Sequence, residues 1–289
     1  MEIQYIEIFK KIGDMLDIDL YIDTKEVSII IKDFIKTYVQ NSGCKGVVIG
    51  LSGGVDSAVT AILCKEAIGN KNVKCLFLPD DTTPDLDIKH YQLIVKKFGL
   101  SSKKKDISNI VKEISSNCII KPDKLALANI KARARMIVLF EYANMTNNLV
   151  CGTSNKSEIL VGYFTKYGDG GVDIMPIGDI YKTQIYELAK YLNIPKEIIT
   201  KKPTAGLWKG QFDEQELKIS YKQLDKILVG LEKKLDIEDI AKIVGVKKSE
   251  VERIKKMRIK TQHKRRSALI PKIGIRTPGY DWRSPVLEG

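Results

Sequence analysis

No apolar run in this chain approaches the ~20 residues that a membrane-spanning helix needs. The first residues, Met1-Glu2-Ile3-Gln4-Tyr5, lack the basic-then-apolar layout of a signal peptide. Cysteine gives no framework either. Cys44, Cys64, Cys75, Cys118 and Cys151 are odd in number, form no CxxC pair, and in several cases sit inside apolar runs. Buried free thiols in a reducing cytoplasm are therefore expected rather than disulfides. The two histidines, His90 and His263, are too far apart to suggest a metal cluster. Internal repeats and low-complexity linkers are absent as well. What remains is a chain of 289 residues, 44% hydrophobic and 29% charged, enough for one large α/β domain or two small ones. Its net charge of +12 attracts anions without choosing among nucleotides, nucleic acid and membrane surfaces. Part of that excess, such as Lys103-Lys104-Lys105, reads as solvated surface.

The segment Gly50-Leu51-Ser52-Gly53-Gly54-Val55-Asp56-Ser57 carries the most chemistry. A β-branched run precedes it and reads as a buried strand, and the apolar residues from Val59 to Cys64 read as a helix. A strand-to-helix turn of this kind aims backbone N–H groups and the positive end of a helix at one point, which suits a phosphate. Gly53 and Gly54 let the backbone approach an anion closely. Ser52 and Ser57 offer hydroxyls. Asp56 would be repelled by phosphate, so its expected task is to hold a bridging Mg²⁺. No Lys-Ser/Thr pair follows the glycines, so the P-loop pattern is excluded. The string instead resembles the SGGxDS signature of the N-type ATP pyrophosphatases, which cleave ATP between the α- and β-phosphates and leave an adenylated substrate.

Helical and strand patterns alternate along the chain. Helices are expected over about 25–41, 55–69, 84–98 and 122–145, with Pro84 and Pro122 opening the last two. Strands are expected over 46–50, 73–78, near 102–106 and over 149–151, and Tyr181, Ile185, Leu188 and Leu192 give a further helical face. Strands separated by helices predict an α/β fold with a parallel sheet covered on both sides, ligands lying beyond the C-terminal strand ends. The expected organisation is one domain over 1–289. It comprises an N-terminal helical segment (1–44), an α/β core (45–200), and a lid, helices and basic tail (201–289), with the tail's Arg276, Tyr280 and Trp282 covering the site or a subunit partner.

A second segment, from Gly152 to Thr183, is long and rich in Gly, Asp and Lys, as functional loops often are. Its strings GTSNKSE, GYFTKYGDGGVDIMPIGD and YKTQ resemble the ammonia-dependent NAD synthetases, a branch of the same pyrophosphatase group. NIKARARM at 129–136, PTAGLWKGQFDE at 203–214 and HKR at 263–265 are similar to that family too, and in its order across 45–266. The resemblance implies a Rossmann-like fold of the adenine nucleotide alpha hydrolase kind. It implies that Gly50, Leu51, Ser52, Gly53, Gly54, Val55, Asp56 and Ser57 cradle ATP, and that Thr153, Lys182 and, from a lid at about 202–215, Thr204 also contact it. Asp56 and Glu158 would hold Mg²⁺. Arg133, Lys166, Asp173, His263 and Lys264 would meet the dinucleotide substrate, although Arg133 and Arg135 taken alone read as ordinary helix charges.

The reaction so implied joins ammonia to deamido-NAD through an acyl adenylate, giving NAD, AMP and pyrophosphate. Asp56, Glu158, Lys182 and Asp173 are its expected catalytic residues, Asp173 as acceptor of a proton from ammonium. Too little chain precedes the ATP loop for a glutamine amidase domain, so free ammonia is the expected nitrogen source. A homodimer is implied, with the 122–145 helix as the candidate contact. Two rivals stand beside this reading. One is a tRNA-modifying ATP pyrophosphatase, whose sulfur-transferring members usually need the paired cysteines that this chain lacks. The other is nucleic-acid binding by the basic helix-turn-helix outline around Gly245, weakened because no aromatics interleave the basic residues.

Overall fold

The computed structural model describes residues 18–208 and 210–278. The N-terminal part of the 1–44 segment, and Tyr280 and Trp282 of the expected tail cover, lie outside the described residues. Four strands, β1 (Val47–Gly50), β2 (Val73–Phe77), β3 (Ser102–Lys104) and β4 (Leu149–Cys151), form one sheet in the order β3-β2-β1-β4. Every pairing is parallel: Val47 stands opposite Val73 and Leu149, and Cys75 opposite Ser102. The parallel α/β architecture expected from the alternating pattern is present.

Side chains alternate across the strands as the pleat requires. Val47, Ile49 and Cys75 face one core, while Val48, Leu76 and Val150 face another. On the first face lie α1 (Thr24–Asn41), α2 (Val55–Ile68), α3 (Asp85–Phe98) and, late in the chain, α7 (Lys182–Tyr191). Buried from Ser57 to Cys64 without a break, α2 is a core helix with no polar stripe. The other face is covered by α4 (Ser108–Ser116) and α5 (Lys124–Thr146). A short helix, α6 (Lys156–Val161), follows β4.

A third core joins α8 (Tyr221–Glu232), α9 (Ile237–Val244) and α10 (Lys248–Lys260) to Val161 and Tyr181. The pair that outlines a helix-turn-helix thus packs inward through Ile240, Val251 and Ile254. Gly245, at φ +73°, ends α9 in the left-handed conformation. One helix start and two helices differ from expectation. Asp123, not Pro122, caps α5, accepting from the Ala126 N–H at 2.7 Å. Helices α4 and α6 were not expected. Among the described residues, no helix is long and apolar enough to cross a membrane.

Candidate active site

The C-terminal end of β1 delivers the chain into Leu51–Gly54, and α2 starts at Val55. Gly53 has φ +83°, and a Cβ there would stand 2.5 Å from the Asp87 carbonyl oxygen, so both conformation and space demand glycine. The two hydroxyls are spent inside the turn. Ser57 Oγ accepts from the Ser52 N–H at 3.2 Å and donates to the Gly54 carbonyl at 3.0 Å, and Ser52 Oγ accepts from the Gly54 N–H at 3.3 Å. They fix the curvature that leaves the N-terminus of α2 facing the cleft.

Three elements then bring charge to that point. Asp56 comes from the first turn of α2, Glu158 from α6 and Lys182 from the first residue of α7. Lys182 Nζ lies 2.5 Å from Asp56 Oδ2 and 3.5 Å from Glu158 Oε1. Asn155 caps α6 and shares a reciprocal capping box with Glu158, while its Nδ2 donates to Asp56 Oδ1 at 2.9 Å. Beneath them, Asp225 of α8 is fully buried. It accepts from Ser157 Oγ at 2.5 Å and from both the N–H and the hydroxyl of Thr183, and Ser157 Oγ accepts from the Lys182 N–H at 2.9 Å. Thus one carboxylate fixes the starts of α6 and α7, and with them the relative positions of Glu158 and Lys182.

Burial pushes the Glu158 carboxyl up to about 8, against the lowering pull of Lys182 and with the repulsion of Asp56 and Asp213. Burial pulls the Lys182 ammonium down, but Asp56 and Glu158 outweigh it and hold the amine well above its ordinary value. The site is therefore short of positive charge. An oxygen-ligated dication that brought phosphate oxygens with it would fit the donor set, since Mg²⁺ is commonly held by one or two carboxylates plus phosphates. Among the described residues, no three His, Cys, Asp or Glu side chains converge as a complete metal site.

Above this floor opens a cavity of about 390 Å³, within the range of nucleotide pockets. Its lining includes the Gly50–Ser52 turn, Phe77 and Leu78 at the end of β2, Thr153 and Thr204. The 201–208 strap crosses it, carrying Thr204 to Trp208 along its wall.

The family model for NAD synthase matches residues 27–268. The chain belongs to this family. It is 50% identical over 202 residues to the NH(3)-dependent NAD(+) synthetase of Archaeoglobus fulgidus, covering 70% of this chain and 81% of that one. Among solved structures, the NMN synthetase of Francisella tularensis superposes with a TM-score of 0.78 at 32% identity, over 88% of this chain and all of its own. The NH3-dependent NAD synthetase of Campylobacter jejuni gives 0.74 at 33% identity, over 87% of this chain and all of its own.

In this NAD synthase chain, Gly50, Leu51, Ser52, Gly54, Asp56, Ser57, Thr153, Glu158, Lys182, Thr204 and Lys264 line the cavity. Gly53 and Val55 are not part of that lining: Gly53 lies against the Asp87 carbonyl and Val55 is buried in the first core. Lys264 turns its ammonium onto the Gly162 and Phe164 carbonyls, at 2.7 and 2.8 Å. Arg133, Lys166 and His263 stand outside the cavity as a chain: the Arg133 fork donates to the Lys166 carbonyl, and Lys166 Nζ donates to the His263 carbonyl at 2.9 Å. Asp173 is not among the residues that line the cavity: its carboxylate accepts from the Val150 N–H at 2.7 Å on the flank of β4.

The Asp80–Thr83 loop likewise does not present a free side chain of Asp80 to a base. Asp80 is buried, and it pairs with Arg135 at 3.0 Å and Lys131 at 3.3 Å. Several residues of the site escaped sequence reading: Asn155, Lys131, Asp213 and Asp225. Asn155 carried a local signal in the Asn-x-x-Glu capping box within GTSNKSE, Lys131 and Asp213 lie within the NIKARARM and PTAGLWKGQFDE strings without being singled out, and Asp225 lies in no such string.

Proposed function

We propose that the protein uses ATP to amidate deamido-NAD with ammonia through an acyl adenylate, giving NAD, AMP and pyrophosphate. The observation that carries this reading is the Asp56–Lys182–Glu158 constellation at the mouth of a strand-to-helix turn, in a chain of the NAD synthase family. In the first step a carboxylate oxygen of the nicotinate bonds to the α-phosphorus, and the bond from that phosphorus to the β-phosphate bridging oxygen breaks. In the second, ammonia nitrogen bonds to the carbonyl carbon, AMP departs with the C–O electron pair, and a proton is released.

Asp56 and Glu158 would hold Mg²⁺, which would take up charge on the departing pyrophosphate. Lys182 offsets part of the charge of the two carboxylates and would stand next to the leaving phosphates, to which the N-terminus of α2 would offer N–H donors. Thr153, two residues past the end of β4, and Thr204 of the strap contact ATP. The strap keeps water from the adenylate, which water would otherwise hydrolyse.

Arg133, Lys166, Asp173 and His263 are assigned to the dinucleotide beyond the cavity mouth, at the interface of a homodimer. The exposed apolar residues Leu125, Ile137 and Met145 on α5 support that contact. The five free thiols support a reducing, cytoplasmic setting. The tRNA-modifying alternative is not favoured by the family match.

An assay with ATP, Mg²⁺, ammonium and deamido-NAD, reading NAD by its enzymatic reduction, tests the proposal. NAD formation with one AMP and one pyrophosphate per turnover is expected. Glutamine replaces ammonium in a parallel tube and gives no NAD. A third tube carries nicotinic acid mononucleotide, because a structural neighbour is an NMN synthetase. Amidation of the mononucleotide in preference to the dinucleotide would replace the proposed substrate, and no amidation of either would overturn the reading.

A further inference from the structure

Lys131 is a lysine in the interior of α5 whose side chain is 4% exposed. An ammonium carries three N–H donors, and a buried one must place them all. Here it has three acceptors. Thr82 Oγ1 lies at 2.6 Å, the Leu207 carbonyl oxygen at 3.2 Å and Asp80 Oδ2 at 3.3 Å.

The first and third belong to the loop after β2, and that loop has hydrogen bonds of its own besides those to Lys131. Asp80 Oδ1 accepts from the Thr82 N–H at 2.8 Å and from its hydroxyl at 2.7 Å, and Arg135 holds Asp80 Oδ2 and the Leu78 carbonyl. The second acceptor is different. Leu207 sits in the 201–208 strap, which has no helix or strand of its own and carries Thr204 along the cavity wall. The strap is also tied elsewhere: the Pro203 carbonyl accepts from the Asp213 N–H at 3.1 Å, and the Leu207 N–H donates to Gln211 Oε1 at 2.9 Å. Lys201 pairs with Asp87 of α3 at its start, and the Lys124 ammonium lies 4.3 Å from the Trp208 ring centroid. Between these two, Lys131 ties the strap's backbone to α5.

We propose that Lys131 is a positioning residue that latches the 201–208 strap over the bound nucleotide by donating to the Leu207 carbonyl. The Asp80 carboxylate neutralises its charge whether the strap is down or up. Release of Leu207 from Lys131 therefore breaks one hydrogen bond at the latch and leaves no unpaired buried ion there, so this contact can open as the strap moves to admit ATP. An ammonium partnered only by the strap would leave a bare buried charge at each opening, and the strap would be locked. The inference rests on the reading of the cavity as an ATP site.

Lys131→Met keeps the length of the side chain and removes every donor, and Lys131→Gln keeps one donor. Both would be compared with the unaltered protein by chymotrypsin cleavage after Trp208, with and without a non-hydrolysable ATP analogue, and by steady-state kinetics. Cleavage after Trp208 is expected to rise about tenfold in Lys131→Met, the equivalent of one charge-assisted hydrogen bond. Cleavage elsewhere and the melting temperature should change far less, Lys131→Gln should fall between, and the KM for ATP should rise more than kcat falls. Trp208 cleavage that is unchanged, or that rises only in step with cleavage of the core, overturns the latch. Should Lys131→Met not fold, Lys131→Gln decides on the same criterion. The protease measurement without nucleotide does not depend on catalysis, so failure of the amidation assay and failure of the latch are read separately.

Discussion

At the scale of single residues, Lys182 bears the most weight. It is almost fully buried, and it is the cation shared by Asp56 and Glu158. Without it two carboxylates would face each other in a poorly solvated floor, where removing one partner of a buried ion pair costs several kcal/mol, about 3–5. Lys182→Gln should therefore melt at lower temperature, and Mg²⁺ with ATP should restore part of the loss, because the dication replaces the missing charge. Its kcat should fall by about 10²–10³-fold, the usual effect of losing one preorganised donor at a developing anion. Steady-state NAD formation and thermal melts check both. Turnover within threefold of the unaltered enzyme would remove Lys182 from the chemistry.

At the scale of elements, the helices and strands nearest the nucleotide are locally encoded. β1, the glycine turn and α2 were readable because a β-branched run, a glycine pair and a continuous apolar helix follow one another directly. α4 was not, since its apolar residues are few and only Val111 is buried. The carboxylate beneath the site was hidden for another reason: Asp225 acts on Ser157 and Thr183, 68 and 42 residues earlier in the chain. Nothing in its own neighbourhood marks that role. Lys131 lies within the NIKARARM string, but its role was hidden too, its acceptors being supplied by a loop and a strap from either side of α5.

The junction of α6 and α10 shows how tightly such distant parts meet. Gly162 closes α6 at φ +70°, and a Cβ on it would lie 2.3 Å from the Thr261 Cβ just beyond α10. Gly162→Ala must both strain its own backbone and push the C-terminal helices away. A destabilisation of about 2–4 kcal/mol is expected, the sum of left-handed strain and overpacking. Urea unfolding measures it. A change below about 0.5 kcal/mol, the scatter of ordinary surface substitutions, would mean that the two helices do not bear on each other as described.

At the scale of the whole molecule, the charge of +12 acquires a direction. Both proposed substrates are polyanions that must meet in one cleft, and their mutual repulsion has to be offset before any chemistry. Close contacts do this only in part, because Lys182 is committed to carboxylates and the Lys264 ammonium to two carbonyls. The remainder falls to the long-range field of the surface lysines and arginines, which raises the local concentration of anions and is screened by salt over about 10 Å at 0.1 M. Bound substrates, enclosed beneath the strap, are screened far less. Raising ionic strength should therefore lower kcat/KM for both ATP and the dinucleotide by several-fold while leaving kcat nearly unchanged. A neutral osmolyte at matched osmolarity should do neither. If kcat fell in parallel with kcat/KM, salt would be acting inside the site, on the Asp56–Lys182–Glu158 balance itself, and the surface charge would be no more than solvation.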